Sequence, residues 1–265
     1  MPVSNQVTTA SLLKMKQQGK RISMLTAYDF TLARILDQAG VDVLLVGDSL
    51  GMVVQGHETT IPVTLAEMIY HGKMVVRGTK HAMVVVDLPF PHGQLGVQKT
   101  LRVAARVLKQ TGCQAVKLEG GAEQAQTIAA LVSAGIPVIA HVGLRPQSVH
   151  ALGGYRVQRD AVKLQRDALA AQEAGAFCVL MECVPAALAK TITDQLVVPT
   201  IGIGAGSACD GQVLVTHDLL GLTTGRIPKF VRQIADLSAE IKRAVSEYNA
   251  AVRDGSFPSS GESFE

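Results

Sequence analysis

Short apolar runs that alternate with segments of helical periodicity are the feature that most constrains the fold of this 265-residue chain. The runs recur roughly every 25–40 residues, a spacing typical of βα units in a parallel sheet. They predict eight strands, near residues 22–27, 41–47, 82–88, 115–119, 137–142, 176–182, 199–203 and 217–221. The intervening segments predict helices near 30–39, 64–80, 96–111, 121–134, 159–174, 185–195 and 207–214, and a last helix near 230–250.

Turn chemistry agrees with these borders. Thr64, with Glu67 three residues later, predicts a capping box at the start of a helix. Prolines open two of the predicted strands, where a missing N–H is tolerated, and glycines end four of the predicted helices. These residues are Pro137 and Pro199, and Gly40, Gly112, Gly135 and Gly175.

Eight βα units in a chain of this length indicate a (β/α)8 TIM barrel, which typically has about 250 residues. The alternative is an open doubly wound sheet, which also alternates strands and helices. The barrel is favoured because acidic residues end several different strands and no glycine fingerprint follows the first strand. We expect one catalytic domain over residues 1–265, an N-terminal helix from Ser11 to Gln17 that caps the barrel bottom, and an irregular tail from Gly255 to Glu265.

Composition excludes some classes of protein. Apolar residues make up 48% of the chain, which suffices for a large core. No apolar run reaches the roughly 18 residues that span a membrane, and the N-terminus lacks a signal-peptide core. The net charge of +3 is small and scattered, which argues against a nucleic-acid partner. The four cysteines form no CxxC pair and predict a reducing, cytoplasmic location.

Acidic residues stand at the carboxyl ends of successive predicted strands. Asp48, Asp87 and Glu119 end the second, third and fourth strands, and neighbouring strands lie about 4.8 Å apart. Such carboxylates can converge on one hard cation, and oxygen ligands favour Mg²⁺. The alternative for each acid is an ordinary ion pair with a neighbouring lysine or arginine.

Two further charged residues have both a catalytic and a structural interpretation. Lys117 shares a strand face with Glu119, so it points into the barrel below that acid, where a substrate carboxylate or a structural ion pair would satisfy it. Glu182 ends the sixth strand, across a gap from the metal acids, and burial would raise its pKa towards the range of a general base. Its structural alternative is to cap the following helix.

Weaker signals come from single residues and loops. Ser49 is placed to donate to a carboxylate or an oxyanion, and His141 is a ligand, a proton carrier or a hydrogen-bonded core histidine. The glycine cluster from Gly202 to Ser207 suggests either a phosphate cradle or close backbone approach. The segments from Gly51 to Pro62 and from His150 to Tyr155 suggest lids or ordinary loops.

The residue types point to one class of reaction. A divalent ion chelates an α-keto acid and stabilises its enolate. A separate carboxylate removes the proton beside the carbonyl group, and the enolate then attacks an electrophile. The residues themselves take the prediction to metal-assisted enolate chemistry and no further.

Motifs along nearly the whole chain, from about residue 7 to residue 250, resemble the ketopantoate (3-methyl-2-oxobutanoate) hydroxymethyltransferase family. The resemblance rests on their order and spacing. The motifs are MLTAYD at 24–29, VGDSLGM at 46–52, GHETTIP at 56–62, VDLPF at 86–90, VKLEG at 116–120, HVGLRP at 141–146, IGIGAG at 201–206 and HDLLG at 217–221.

The resemblance implies a (β/α)8-barrel enzyme that transfers a hydroxymethyl group from 5,10-methylenetetrahydrofolate to 3-methyl-2-oxobutanoate through a Mg²⁺-stabilised enolate. The product is 2-dehydropantoate, on the route to pantothenate. It also implies that the acids at 48, 87 and 119 surround Mg²⁺ and that Glu182 accepts the proton. The residues implied to contact the keto acid are Asp48, Ser49, Asp87 and Lys117. Near its C-terminus the chain has Glu262-Ser-Phe264 where the family often has His-Ser-Phe, which leaves a tail contact in doubt.

Two other functions remain open. The family is similar to the phosphoenolpyruvate mutase and isocitrate lyase superfamily, so a folate-independent Mg²⁺-dependent lyase or mutase is the alternative. A barrel that binds a metal or metabolite without catalysis is the third. The partners expected from the resemblance are small molecules and further copies of the chain, in a large homo-oligomer, a decamer.

Overall fold

The computed structural model describes residues 6–225 and 227–264. The chain divides into two compact units, Met1–Val215 and Thr216–Glu265. The first unit contains the barrel, and the second is described by itself below. A single catalytic domain over residues 1–265 stays a prediction.

Eight parallel strands close into a barrel in chain order, which confirms the predicted fold class. The strands are β1 Ile22–Thr26, β2 Val43–Val46, β3 Met83–Asp87, β4 Ala115–Glu119, β5 Val138–Gly143, β6 Cys178–Glu182, β7 Thr200–Ile203 and β8 Gly211–Leu214. The helices of this unit are α1 Thr9–Gln17, α2 Phe30–Gln38, α3 Leu50–Val53, α4 Leu65–Gly78, α5 Val97–Thr111, α6 Ala125–Ser133, α7 Ala161–Glu173 and α8 Ala186–Gln195. Single 3₁₀ turns lie at Ala122–Gln124 and Pro146–Ser148.

The strands are buried on both faces, as the near-continuous apolar runs predict. Alternate residues of each strand face the helices, and Val84 and Val116 lie in that outer layer. The other parity fills the barrel interior, where Val85, Ala115 and Ile139 pack together. The alternation matters for function because every second residue near a strand's carboxyl end projects into the barrel mouth.

The N-terminal helix α1 caps the bottom of the barrel, as predicted. Thr8 begins it with a capping box that it forms with Ser11. Leu12 packs among the interior side chains. Lys16 forms a 2.8 Å ion pair with Asp210, just before β8.

The prediction was wrong at the eighth unit. The segment 207–214, predicted as a helix, contains β8, and the segment 217–221, predicted as a strand, begins in a short helix, Thr216–Leu219. Residues 204–210 return the chain to the barrel bottom without a helix. Asp210 fixes this return, because its carboxylate accepts hydrogen bonds from the backbone N and the hydroxyl of Thr200 at 2.8 and 2.9 Å.

The turn chemistry read from the sequence is present in the structure. Thr64 and Glu67 form the predicted capping box of α4. The four helix-ending glycines have φ angles between 80° and 95°, in the left-handed region that glycine enters at little cost.

The second unit contains the short helix α9, Thr216–Leu219, and the long helix α10, Leu237–Asp254. The tail predicted to be irregular holds one 3₁₀ turn, Ser260–Glu262. Within residues 6–225 and 227–264, no helix is both long enough and apolar enough to cross a membrane.

Candidate active site

Strand periodicity brings the predicted charged residues into one place. Lys117 and Glu119 continue the inward parity of β4, and Asp87 continues that of β3, directly paired in register with Lys117. His141 is paired with Glu119 on the neighbouring strand β5. Glu182 ends β6 on its inward parity. Because parallel strands end at one rim, these side chains meet at the carboxyl end of the barrel.

Asp48 and Ser49 reach the same rim from the tight turn after β2. A Cβ at Gly47 would lie 2.7 Å from Ser49 Oγ and 3.6 Å from Asp87 Oδ2, so only glycine fits there without a shift. Asp48 donates its backbone N–H to Asp87 Oδ2 at 3.0 Å. Ser49 Oγ lies 2.9 Å from the hydroxyl of Tyr28, which is buried beside it.

Burial and crowding disfavour the charged forms of these acids. Burial raises the pKa of Asp87 to about 7 against the opposing charge of Lys117. Burial also raises the pKa of Asp48. The pKa of Glu119 lies well above its usual value through burial and the nearby charge of Asp48. The site therefore holds more buried negative charge than its own residues neutralise.

Lys117 is the cation within this cluster. Its Nζ lies 3.3 Å from Asp87 Oδ1 and 3.1 Å from His141 Nδ1. Burial alone would lower its pKa, but the surrounding carboxylates outweigh burial, so its pKa is raised and the ammonium is retained. The structural ion pair considered from the sequence is therefore present, and it lies inside the candidate site.

His141 connects Lys117 to Glu182. Burial and the adjacent Lys117 hold the pKa of His141 well below its ordinary value, so the ring is neutral. An ammonium can only donate, so Nδ1 accepts and the ring proton sits on Nε2. Nε2 lies 3.2 Å from Glu182 Oε2, although the two atoms lack the geometry of a hydrogen bond.

Glu182 opens towards the barrel mouth, with 16% of its side chain exposed. Burial raises the pKa of its carboxyl group to about 7, against the charge of Lys117. The alternative role as a helix cap is not observed, because α8 begins after Pro185 without a side-chain cap. Glu182 is therefore free to accept a proton near neutral pH.

The oxygen donors of these acids suit a magnesium ion. Asp87 Oδ1 is buried and makes no hydrogen bond of good geometry. Among residues 6–225 and 227–264, no three His, Cys, Asp or Glu side chains are arranged to hold an ion by themselves. Mg²⁺ commonly takes one or two protein carboxylates and completes its octahedron with water and substrate. Asp48 and Asp87, with Glu119 beside them, suit such an ion.

Sequence reasoning missed Gln147, which lies in the 3₁₀ turn after β5 and is 5% exposed. Its side chain donates to Asp48 Oδ2 at 2.8 Å. No residue type or spacing signals this contact in the sequence, because it joins positions 99 residues apart.

The structure shows what surrounds the glycine cluster from Gly202 to Ser207 and the two segments predicted as lids or loops. At Gly202 a Cβ would lie 2.8 Å from Cys209 Sγ, and at Gly206 it would lie 2.5 Å from the Ala186 Cβ, so these glycines serve close approach. The two predicted lid segments meet where the Tyr155 hydroxyl lies 3.7 Å from Met52 Sδ.

A closed (β/α)8 barrel with reactive side chains at the carboxyl ends of its strands is the arrangement of the (β/α)8-barrel enzymes. Phosphonopyruvate hydrolase, solved in complex with oxalate and Mg²⁺, is similar with a TM-score of 0.63 at 15% identity, over 96% of this chain and 92% of that one. Phosphoenolpyruvate phosphomutase from Streptomyces platensis subsp. rosaceus has a TM-score of 0.63 at 16% identity, over 93% and 88%. At these identities the likeness shows the fold.

The chain belongs to the ketopantoate hydroxymethyltransferase family, which it matches over residues 6–260. A 3-methyl-2-oxobutanoate hydroxymethyltransferase from Rhodopirellula baltica is 62% identical over 261 residues, covering 98% of this chain and 97% of that protein. One of the same name from Desulforapulum autotrophicum is 56% identical, over 95% of this chain and 96% of that protein. The resemblance read from the motifs is thereby confirmed.

Proposed function

We propose that the chain transfers a hydroxymethyl group from 5,10-methylenetetrahydrofolate to 3-methyl-2-oxobutanoate and releases 2-dehydropantoate. The observation that carries the proposal is the grouping of three acids, Asp48, Asp87 and Glu119, around Lys117, with Glu182 at the same mouth of the barrel. The names of the curated relatives support the choice of substrate and of the transferred hydroxymethyl group.

The keto acid is held on the side of the three grouped acids. Lys117 donates to its carboxylate, and Ser49, already contacting Tyr28, donates to an oxygen beside it. If held by Asp48, Asp87 and Glu119, Mg²⁺ would supply Lewis-acid polarisation of the keto oxygen and so acidify the adjacent C3–H bond. These residues orient C3 towards Glu182.

Glu182 then accepts the C3 proton, and the electron pair of the broken C–H bond forms the enolate. The enolate carbon forms a new C–C bond with the one-carbon unit of the folate. Both bonds that join that unit to the two folate nitrogens break, and one water supplies the new hydroxyl group. Tetrahydrofolate leaves with two new N–H bonds, whose protons are the one that Glu182 took from C3 and the remaining proton of the water.

The folate is placed above the keto acid, at the loops. A small chelated acid occupies the floor, and a molecule the size of folate cannot pass it. Tyr155 and Met52 meet at the mouth and offer partly exposed aromatic and thioether surface, 50% and 39% exposed. The carboxylates of Glu182, Asp48 and Glu119 add to burial in raising the pKa of Tyr155, which supports its position facing the acids.

We also propose a cytoplasmic location and a large homo-oligomer, a decamer. The four cysteines form no disulfide, which suits a reducing compartment. Helix α10 supports assembly through an apolar stripe at helical spacing, whose members are 36–54% exposed in the described part of the chain. The stripe consists of Leu237, Ile241, Val245, Tyr248 and Val252.

The decisive test follows both the C3 hydrogen of 3-methyl-2-oxobutanoate and the product by NMR. In D₂O with Mg²⁺ and the keto acid alone, we expect deuterium to enter C3, because deprotonation does not need the folate. Adding methylenetetrahydrofolate is expected to yield 2-dehydropantoate.

The outcomes separate the three functions. Exchange without product in the presence of the folate would favour the folate-independent lyase or mutase, whose fold the phosphonopyruvate hydrolase likeness supports. A barrel that only binds metabolites would show neither exchange nor product.

Replacing Lys117 by alanine is expected to raise KM for the keto acid by roughly 10- to 150-fold, the equivalent of the 1.5–3 kcal/mol of a charged hydrogen bond. Steady-state kinetics beside calorimetry checks this, with Lys190→Ala, on an exposed pair of α8, as the control. A large fall in thermal stability with an unchanged KM would assign Lys117 to the core alone.

A further inference from the structure

Gln147 contacts the ends of three neighbouring strands at once. Its Nε2 donates to Asp48 Oδ2 at 2.8 Å, after β2, and to the Leu88 carbonyl oxygen at 3.0 Å, after β3. Its backbone N–H donates to both carboxylate oxygens of Glu119, at the end of β4, at 3.2 and 3.4 Å. One residue therefore touches two of the three grouped acids and the residue that follows the third.

Both protons of the Gln147 side-chain amide are used. An amide nitrogen has two protons, and Asp48 and Leu88 take both. These two acceptors, on different strand ends, determine which way the amide faces. Its Oε1 accepts only a long hydrogen bond, from Gln94 Nε2 at 3.4 Å.

A neutral donor suits this position better than a charged one. Asp48 and Glu119 repel each other in a buried site, and a donor is needed to hold each carboxylate in one rotamer. A lysine or arginine would do so by cancelling negative charge, which would weaken attraction for a cation. The amide of Gln147 fixes the direction of Asp48 and leaves its charge in place.

We propose that Gln147 is a positioning residue that holds Asp48 and Glu119 in the orientation that receives the divalent cation. The proposal rests on the proposed function, which requires Mg²⁺ at these acids. Gln147 acts through the two carboxylates, in the manner of the outer partners that orient metal ligands in other sites.

The test measures Mn²⁺ binding by electron paramagnetic resonance, with Mn²⁺ standing in for Mg²⁺. The Gln147→Met variant keeps the length of the side chain and the backbone donor but removes the amide protons. We expect its Kd for Mn²⁺ to rise by about 10- to 100-fold, the usual effect of removing an outer partner of a metal ligand. Saturating Mg²⁺ is expected to restore most of kcat, because the reacting groups are unchanged.

Gln94→Met is the matched control, because Gln94 is exposed and its side chain reaches Gln147 through one long hydrogen bond, to Oε1. Its Kd for Mn²⁺ is expected to stay within twofold of the unaltered enzyme. If Gln147→Met does not fold, Gln147→Asn replaces it. This variant withdraws the amide from Asp48 by one methylene, and the same weakening is expected.

Unchanged Mn²⁺ affinity in a folded Gln147 variant would overturn the positioning role while leaving the proposed function intact. A loss of Mn²⁺ affinity that Gln94→Met shares equally would also overturn it, because the effect would then belong to loop packing. If the unaltered enzyme itself fails to bind Mn²⁺, the proposed metal site falls and this role falls with it.

Discussion

A Glu182→Gln enzyme is expected to lose a factor of about 10²–10⁴ in turnover, the usual contribution of general-base catalysis. The amide keeps the shape of the side chain and its place beside His141, but it cannot accept a proton from C3. Mg²⁺ and keto-acid binding should be largely retained, because Glu182 is separate from the three grouped acids. Steady-state kinetics and C3 exchange in D₂O measure the loss, and both should fall together.

The pH dependence of the unaltered enzyme follows from the same residue. Glu182 must be ionised to accept a proton, and burial raises its pKa to about 7. At saturating Mg²⁺, which keeps Asp87 ionised although burial raises its pKa to about 7 as well, the rate should therefore fall as pH drops through 7, by about tenfold for each unit below it. Glu182→Gln should lack this limb of the profile.

Glu173→Gln, on the exposed face of α7, is the matched control and should keep the activity and pH profile of the unaltered enzyme. A near-normal rate of product formation by Glu182→Gln would move the base elsewhere, with His141 the next residue to test.

Removal of divalent cations by EDTA is expected to abolish activity, and added Mg²⁺ should restore it. Asp48, Asp87 and Glu119 have pKa values raised by burial, so bringing them to full ionisation requires positive charge beyond that of Lys117. A bound divalent cation supplies that charge and also orients the keto acid.

Single substitutions test which acids bind the divalent cation. Asp87→Ala and Asp48→Ala should each weaken Mg²⁺ binding, measured by calorimetry, and depress turnover in parallel. Asp194→Ala, which removes an exposed carboxylate of α8, should change neither. Full activity in cation-free buffer would show that these acids serve another purpose.

Strand β4 shows how much of the site can be predicted from the sequence. The run Ala115–Glu119 shows an apolar strand, and its period of two places Lys117 and Glu119 on one face. Their meeting with Asp87 follows from the order of strands in a closed barrel, which the repeated βα pattern implies. The grouping of charges at the mouth was therefore predictable from local patterns, whereas their roles remain proposals.

The eighth unit shows where the local pattern fails. The expectation that every strand is followed by a helix placed a helix over 207–214, where the chain forms β8. The four residues of β8, Gly-Gln-Val-Leu, lack the continuous apolar run by which the equally short β2 is recognised. The position of β8 is decided by pairing with β1 and β7 on either side, and these partners are distant in sequence.

The sequence by itself determined the βα repeat, the barrel and the strand ends that carry the acids, because each depends on apolar periodicity and on residues within one turn or strand. Only the tertiary structure decided that Lys117 contacts both Asp87 and His141, and that Gln147 holds Asp48. Those contacts join residues from different βα units, and their distances depend on barrel closure and on the register between strands. That geometry decides which side chains meet across the barrel mouth, and no local sequence pattern predicts it.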